Sequence, residues 1–142
     1  MDHEQTKALV FNTCTFDGLP VTLAELVVAQ SRHESDDYRS HVYLTDNNFF
    51  GYKRNTLSQW QQVGGTQSPE GDHYAHYETP EDSVHELTHW IFRRQREGKF
   101  PLDLKVIQTP LEYATALKNC GYYGDTLQNY TAGLQKYFSE TS

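Results

Sequence analysis

Glu34 is the side chain in this sequence best placed to deliver a proton. It closes the stretch Thr22 to Glu34, TLAELVVAQSRHE, in which Leu23, Val27, Gln30 and Glu34 recur at spacings of four, three and four and so share one face of a helix. A carboxyl at the end of such an inward stripe is partly withdrawn from water and lies at the negative end of the helix dipole. Both effects disfavour the ionised form, which keeps a glutamic acid protonated near neutral pH and able to serve as a general acid. Thr22, with Glu25 three residues later, has the spacing of a reciprocal capping pair that would start this helix. Asn47-Asn48-Phe49-Phe50-Gly51-Tyr52-Lys53 sets two locally hydrogen-bonding side chains before two rings and a glycine, the makings of a tight loop folded back onto the helix end.

A second pattern points to different chemistry. His85-Glu86-Leu87-Thr88-His89 is an HExxH on a predicted helix, where histidines four apart share a face and could bind zinc while the glutamate activates water. A zinc protease built this way needs a third ligand. Downstream, the acids on predicted helices reduce to Glu112, whose position three residues after Thr109 already gives it a capping role. The two histidines also flank the apolar stripe Val84, Leu87, Ile91 by about one residue's rotation, roughly 100° on a helix, so a place at the edge of the core is expected of them.

The elements that must hold these residues follow from local signals. Glu4 to Phe11 reads as a weak helix with Ala8, Leu9 and Phe11 on its apolar side, ended by the turn Asp17-Gly18-Leu19-Pro20. Leu57 to Val63 and Asp72 to Glu78 read as strands around Gly64-Gly65 and Pro69-Glu70-Gly71, a long glycine-rich hairpin. Thr79-Pro80 and Thr109-Pro110 each place a capping threonine before a proline at the first helical position. The first helix continues through Val84, Leu87 and Ile91 to Arg96, and the second through Ala114 and Leu117 to Gly121. Leu127, Tyr130, Leu134 and Tyr137 or Phe138 mark a last amphipathic helix.

Composition limits the function classes. A chain of 142 residues makes one domain with a real core, and its 37% hydrophobic content is low but includes 10 Tyr, 7 Phe and 2 Trp, rings that fill an interior and also suit sugar faces. Nineteen acids against twelve bases leave a net charge of −7, which argues against nucleic acid as a partner. No stretch approaches the roughly 18 apolar residues of a membrane helix, and the opening MDHEQTKALVF is acidic where a secretion signal would be basic. Cys14 and Cys120 lack CxxC spacing and indicate neither a zinc ribbon nor a redox motif.

Four motifs, AQSRHES, NNFFGYK, YETPEDSV and LKNCGYYGD followed by Asn129-Tyr130, resemble in order and spacing the bacterial and phage glucosaminidase family of peptidoglycan hydrolases. The resemblance runs from about Leu19 to Phe138. It implies an α+β, lysozyme-like fold, mostly helical, as a single domain over residues 1–142 with a small β-hairpin lobe at about 54–78. It implies a glycoside hydrolase that cuts the β-1,4 bond between N-acetylglucosamine and N-acetylmuramic acid with Glu34 as general acid and with no metal or cofactor. For the second catalytic role it offers two routes. A hairpin carboxylate, Glu70 first and Asp72 second, positions water, or the substrate's own N-acetyl group attacks while an aromatic hydroxyl, Tyr122, supports it. Where the family reads GYA-[TD]-D-P-x-Y, this chain has Tyr123-Gly124-Asp125-Thr126 and two extra residues before Asn129-Tyr130. Asn48, Phe50, Asp72 and Tyr77 are the substrate-binding residues implied. Peptidoglycan glycan strands are the expected partner, with phage virion or lysis proteins as further candidates and no membrane. Action at the bacterial cell wall is the expected location. A non-catalytic glycan-binding or virion structural protein on the same fold is the alternative from another class.

Overall fold

The computed structural model describes residues 1–141, with side chains through residue 140. Helix α1 (His3–Phe16) opens at Asp2, whose carboxylate accepts from the Gln5 amide at 2.7 Å while the Gln5 side chain accepts from the Asp2 amide at 2.9 Å. Its buried face is Thr6, Val10, Thr13 and Cys14, not the expected Ala8, Leu9 and Phe11; Ala8 is exposed and the other two are half-buried. The threonines can face inward because their hydroxyls turn back onto their own helix, Thr6 to the Asp2 carbonyl at 2.8 Å and Thr13 to the Leu9 carbonyl at 2.7 Å.

Helix α2 (Val21–Glu34) begins one residue after Pro20, which has no side chain able to cap it. Thr22 therefore lies inside the first turn and the expected Thr22–Glu25 capping pair does not form. The helix does not depend on it. Leu23, Ala24 and the run from Leu26 to Arg32 are all buried, so α2 is the central helix of the protein. Its C-terminus is clamped. Asp36, Asp37 and Tyr38 all have positive φ, 51°, 54° and 69°, a left-handed turn that costs L-residues roughly 1–2 kcal/mol each. The Ser35 hydroxyl offsets this by donating to the Ser31 carbonyl at 2.6 Å and accepting from the Tyr38 amide at 2.9 Å. Arg32 adds a bond to Asp37 at 2.7 Å, whose carboxyl it holds down to about 2.

A short helix α3 (His41–Asp46), capped by Ser40, precedes the hairpin and ends on left-handed Asn47. The hairpin pairs β1 (Val63–Gln67) with β2 (His73–His76) in antiparallel fashion, Val63 opposite His76 and Gly64 opposite Ala75. The strand expected at Leu57–Val63 is displaced: only Val63 belongs to β1, and the two glycines lie within the strand. The cause is tertiary. Asp46, 2% exposed, accepts from the Thr66 amide at 2.9 Å and pairs with His76 at 3.0 Å. A β-carbon on Gly65 would overlap that carboxyl.

Helix α4 (Pro80–Arg96) starts as its Thr-Pro signal requires, with Thr79 accepting from the Asp82 amide at 3.3 Å. It buries Val84, Leu87 and Ile91. A 3-10 turn at Leu104–Val106 leads to α5 (Pro110–Asn119), where Thr109 and Glu112 complete a capping box. Helix α6 (Leu127–Thr141) buries Tyr130, Leu134 and Tyr137. It packs along α2, and Gly133 permits the approach, since a β-carbon there would overlap the His33 ring. The architecture is mostly helical with one small two-stranded sheet, the α+β arrangement expected. Among the described residues no helix is long and apolar enough to cross a membrane.

Candidate active site

The last turn of α2 carries Glu34 to the wall of a cleft of about 440 Å³, lined also by Phe50, Tyr52, Lys53, Trp90, Arg94 and Tyr122. Three donors converge on its Oε2: the Tyr122 hydroxyl at 2.9 Å, the Tyr130 hydroxyl at 3.2 Å and the Gln30 amide at 3.3 Å. Burial raises the Glu34 carboxyl to about 7, although the hydrogen bonds from Tyr122, Tyr130 and Gln30 pull the other way. The desolvation expected of an inward stripe is therefore present at its last member. Near neutral pH this side chain is divided between acid and carboxylate, the condition for donating a proton and later receiving one.

The surrounding shell is aromatic and is itself positioned. The Tyr113 hydroxyl donates to Gln30 Oε1 at 2.6 Å, which turns the amide nitrogen of Gln30 toward Glu34. Left-handed Gly121 ends α5 and the Tyr122 amide closes back onto the Leu117 carbonyl at 3.0 Å, so Tyr122 projects toward Glu34. Tyr122 lies 5.2 Å from Trp90 and 6.3 Å from Tyr52, ring centre to ring centre. Tyr123 stacks on Tyr130 at 3.9 Å, and the edge of His33 meets Tyr130 at 5.1 Å.

Of the residues singled out in the sequence, Glu34, Tyr122 and Phe50 meet at this cleft. Asn48 and Tyr77 do not. Asn48 is 1% exposed and its side chain binds the Tyr52 and Ala75 carbonyls and the Tyr52 amide, so it joins the Phe49-Phe50-Gly51 loop to the β lobe and has no face left for a ligand. Tyr77 is 0% exposed beneath the lobe. Glu70 and Asp72 sit on the turn between β1 and β2, exposed, and reach the cleft through Lys53, whose ammonium lies 3.5 Å from Glu70 and 3.2 Å from Asp72. Hydrogen bonds from its own backbone and from Ser68, with the Lys53 charge, hold the Glu70 carboxyl below the usual range. Ser68 and Lys53 act likewise on Asp72. Tyr130, Gln30 and Trp90 belong to the site and were not assigned to it from sequence. Gln30, within AQSRHES and on the Glu34 stripe, and Tyr130, in the Asn129-Tyr130 motif, carry a signal in the sequence, whereas Trp90 carries none.

The HExxH is a structural device here. His85 Nδ1 bonds to Asp17 at 2.7 Å and Thr88 donates to the same oxygen at 2.5 Å, tying α4 to the end of α1. Both oxygens of Glu86 accept, one from Ser58 and one from Gln61 at 2.7 Å. His89 Nδ1 bonds to the His85 carbonyl at 2.9 Å. Among the described residues no three His, Cys, Asp or Glu side chains group as a metal site. Both cysteines are free, with the Cys14 thiol buried and its ionisation strongly disfavoured.

Residues 21–141 match the glucosaminidase family model, described as mannosyl-glycoprotein endo-beta-N-acetylglucosaminidase. No curated protein matches the sequence significantly. Among solved structures, a peptidoglycan hydrolase from Sphingomonas sp. A1 superposes with TM-score 0.68 at 16% identity, covering 96% of this chain and 95% of that one. The glycoside hydrolase domain of Salmonella typhimurium FlgJ gives 0.65 at 18% identity, over 99% and 89%. A chain from a type VI secretion system effector-immunity complex of Pseudomonas protegens gives 0.62 at 16% identity, over 96% and 91%. At these identities the likeness is one of fold.

Proposed function

Because the chain belongs to the glucosaminidase family of glycoside hydrolases, we propose that it hydrolyses peptidoglycan at the β-1,4 bond between N-acetylglucosamine and N-acetylmuramic acid, with Glu34 as general acid. The observation that carries this reading is the Glu34 carboxyl, raised to about 7 inside an aromatic cleft and held by three donors on one oxygen. Protonated Glu34 gives its proton to the glycosidic oxygen as the bond to the anomeric carbon breaks, and the leaving sugar departs as a neutral alcohol. The positive charge that develops on the other sugar is met by the ionised Glu34, by the electron-rich faces of Tyr122 and Trp90, and by a second group.

Two routes could fill that second role. Glu70, held ionised on the turn between β1 and β2 by its hydrogen bonds and Lys53, would take a proton from the attacking water. Its depressed and Glu34's raised carboxyl are pushed apart in the sense that assigns base and acid. Asp72 shares the same lysine and is the alternative from the same turn. The other route uses the substrate's N-acetyl oxygen as nucleophile, with Tyr122 supporting it. Phe50 forms part of the sugar-binding wall.

The substrate class is supported by structural neighbours described as peptidoglycan hydrolases. This reading puts the protein at the bacterial cell wall, delivered by a phage particle or lysis proteins. The neighbour from a type VI secretion system effector-immunity complex makes a secretion apparatus the competing route. Digestion of purified peptidoglycan followed by borohydride reduction tests the bond. New N-acetylglucosaminitol ends are expected. New N-acetylmuramitol ends would assign the other glycosidic bond and overturn the reading.

A further inference from the structure

Beside the Glu34 cleft lies a second, larger one of about 870 Å³, and the two share Tyr52, Lys53 and Trp90. One wall is the exposed face of α4 at His89, Arg93 and Arg96, spaced four and three apart; the other is the segment from Lys53 to Gln61. In a chain of net charge −7, this cleft gathers Lys53, Arg54, Arg93 and Arg96. Glu86, the acid on its wall, has both oxygens engaged by Ser58 and Gln61.

The arginines of this cleft differ from the others. Arg32, Arg39 and Arg94 are each paired with a carboxylate. Arg54, Arg93 and Arg96 have no acidic partner among the described residues, and Nη1 of Arg54 is buried with no acceptor at all. A guanidinium nitrogen withdrawn from water without an acceptor is an unmade hydrogen bond waiting for an anionic oxygen. Trp60 gives the same cleft a fixed flat surface, since its ring stacks on His85 at 4.9 Å and 24° and leans on His89 at 5.1 Å.

We propose that this cleft receives the acidic peptide stem borne by the muramic acid of the glycan strand, and that Arg54, Arg93 and Arg96 make the enzyme select stem-bearing strands. The inference rests on the peptidoglycan reading above and names the part of that substrate which the second cleft holds. The sugars of the strand offer hydroxyls and amides, whereas the stem carries carboxylates that match the planar fork of arginine. Without a local cluster of cations, a protein of this charge would repel such stems. The continuity of the two clefts lets one strand place a glycosidic bond at Glu34 while its stem lies along α4.

The test compares purified peptidoglycan strands with the same strands after an N-acetylmuramoyl-L-alanine amidase has released the stems, which removes the carboxylates of the stem and leaves the lactyl carboxylate on each muramic acid. The wild type is expected to show a kcat/KM about tenfold or more higher on stem-bearing strands. The doubly substituted Arg93→Gln, Arg96→Gln protein, altered at two exposed positions and checked for an unchanged melting temperature, should bring that ratio close to one, mainly through KM. Arg54→Lys, which keeps the charge and loses the fork, should lower the ratio partway. Added salt should erode the wild-type preference. Equal rates on both strands, or equal losses on both in the arginine variants, would overturn this inference and leave the glycosidase reading standing. Cleavage of neither strand by the wild type would remove the glycosidase reading and this inference with it.

Discussion

The Tyr122 hydroxyl donates to Glu34 Oε2 at 2.9 Å, and the other donors to this carboxyl, Tyr130 and Gln30, choose the same oxygen. Among the described residues none donates to Oε1. The lone pairs of Oε2 are occupied by the protein, so the proton of the acid form belongs on Oε1, the oxygen that the proposed reaction would use. Fixing one oxygen in this way orients the carboxyl.

Tyr122 both bonds to Glu34 and lines the cleft, and a pH profile separates the two roles these contacts would give it. Its hydrogen bond favours the carboxylate, so removal raises the Glu34 pKa further above about 7. A Tyr122→Phe enzyme should keep a folded structure and show the basic limb of its kcat/KM profile at higher pH than the wild type. A lowered rate with an unmoved limb would confine Tyr122 to substrate contact.

The same burial has a stability consequence with a definite sign. Glu34 ordinarily ionises near 4.5 and in the folded protein near 7, so the folded state holds its proton longer than the unfolded chain does. Below about pH 4.5 the group costs nothing, the cost grows from there to pH 7, and above that it is fully present at about 3 kcal/mol at most. Glu34→Gln should therefore melt at nearly the wild-type temperature at pH 4 and several degrees higher at pH 8. Equal melting temperatures at pH 8 would show that the carboxyl is not desolvated.

What could be read from the sequence was what local chemistry decides. The Thr-Pro starts at Thr79 and Thr109 need only their own amides, and both form. The Glu34 stripe was legible because Leu23, Val27, Gln30 and Glu34 follow helical spacings of four, three and four. Thr22 failed as a cap because Pro20 starts the helix one residue after itself, leaving Thr22 inside the first turn. The hairpin register failed because Gly64 and Gly65 resemble a turn, whereas Gly65 is there to admit the carboxyl of Asp46, nineteen positions earlier. Tyr130 meets Glu34 across 96 positions, a juxtaposition that no local pattern carries. Asn48 was identified as important from its motif, and its importance lies in holding the loop.

Gly65 offers a test of how the β lobe is seated. Gly65→Ala must push the strand off Asp46, breaking the bond to the Thr66 amide and shifting the turn that holds Glu70. Overpacking of this kind costs about 1–3 kcal/mol. The melting temperature should fall and activity should fall with it. An unaltered melting temperature would mean that the lobe is not held by this contact.

The HExxH predicts an insensitivity. His85 and Glu86 spend their hydrogen bonds on Asp17, Ser58 and Gln61, so glycan cleavage should persist in EDTA. Loss on chelation that zinc restores would transfer the chemistry to a metal.

The most direct measurement of the central claim is the rate of soluble muropeptide release from purified peptidoglycan by Glu34→Gln against the wild type, at pH 6 where most of the wild-type acid is protonated. Glutamine keeps the shape, and its carbonyl oxygen can accept in place of Oε2, but its amide is not an acid. The account predicts a loss of at least about 10²-fold with a folded protein; a rate within a few-fold of the wild type would contradict it.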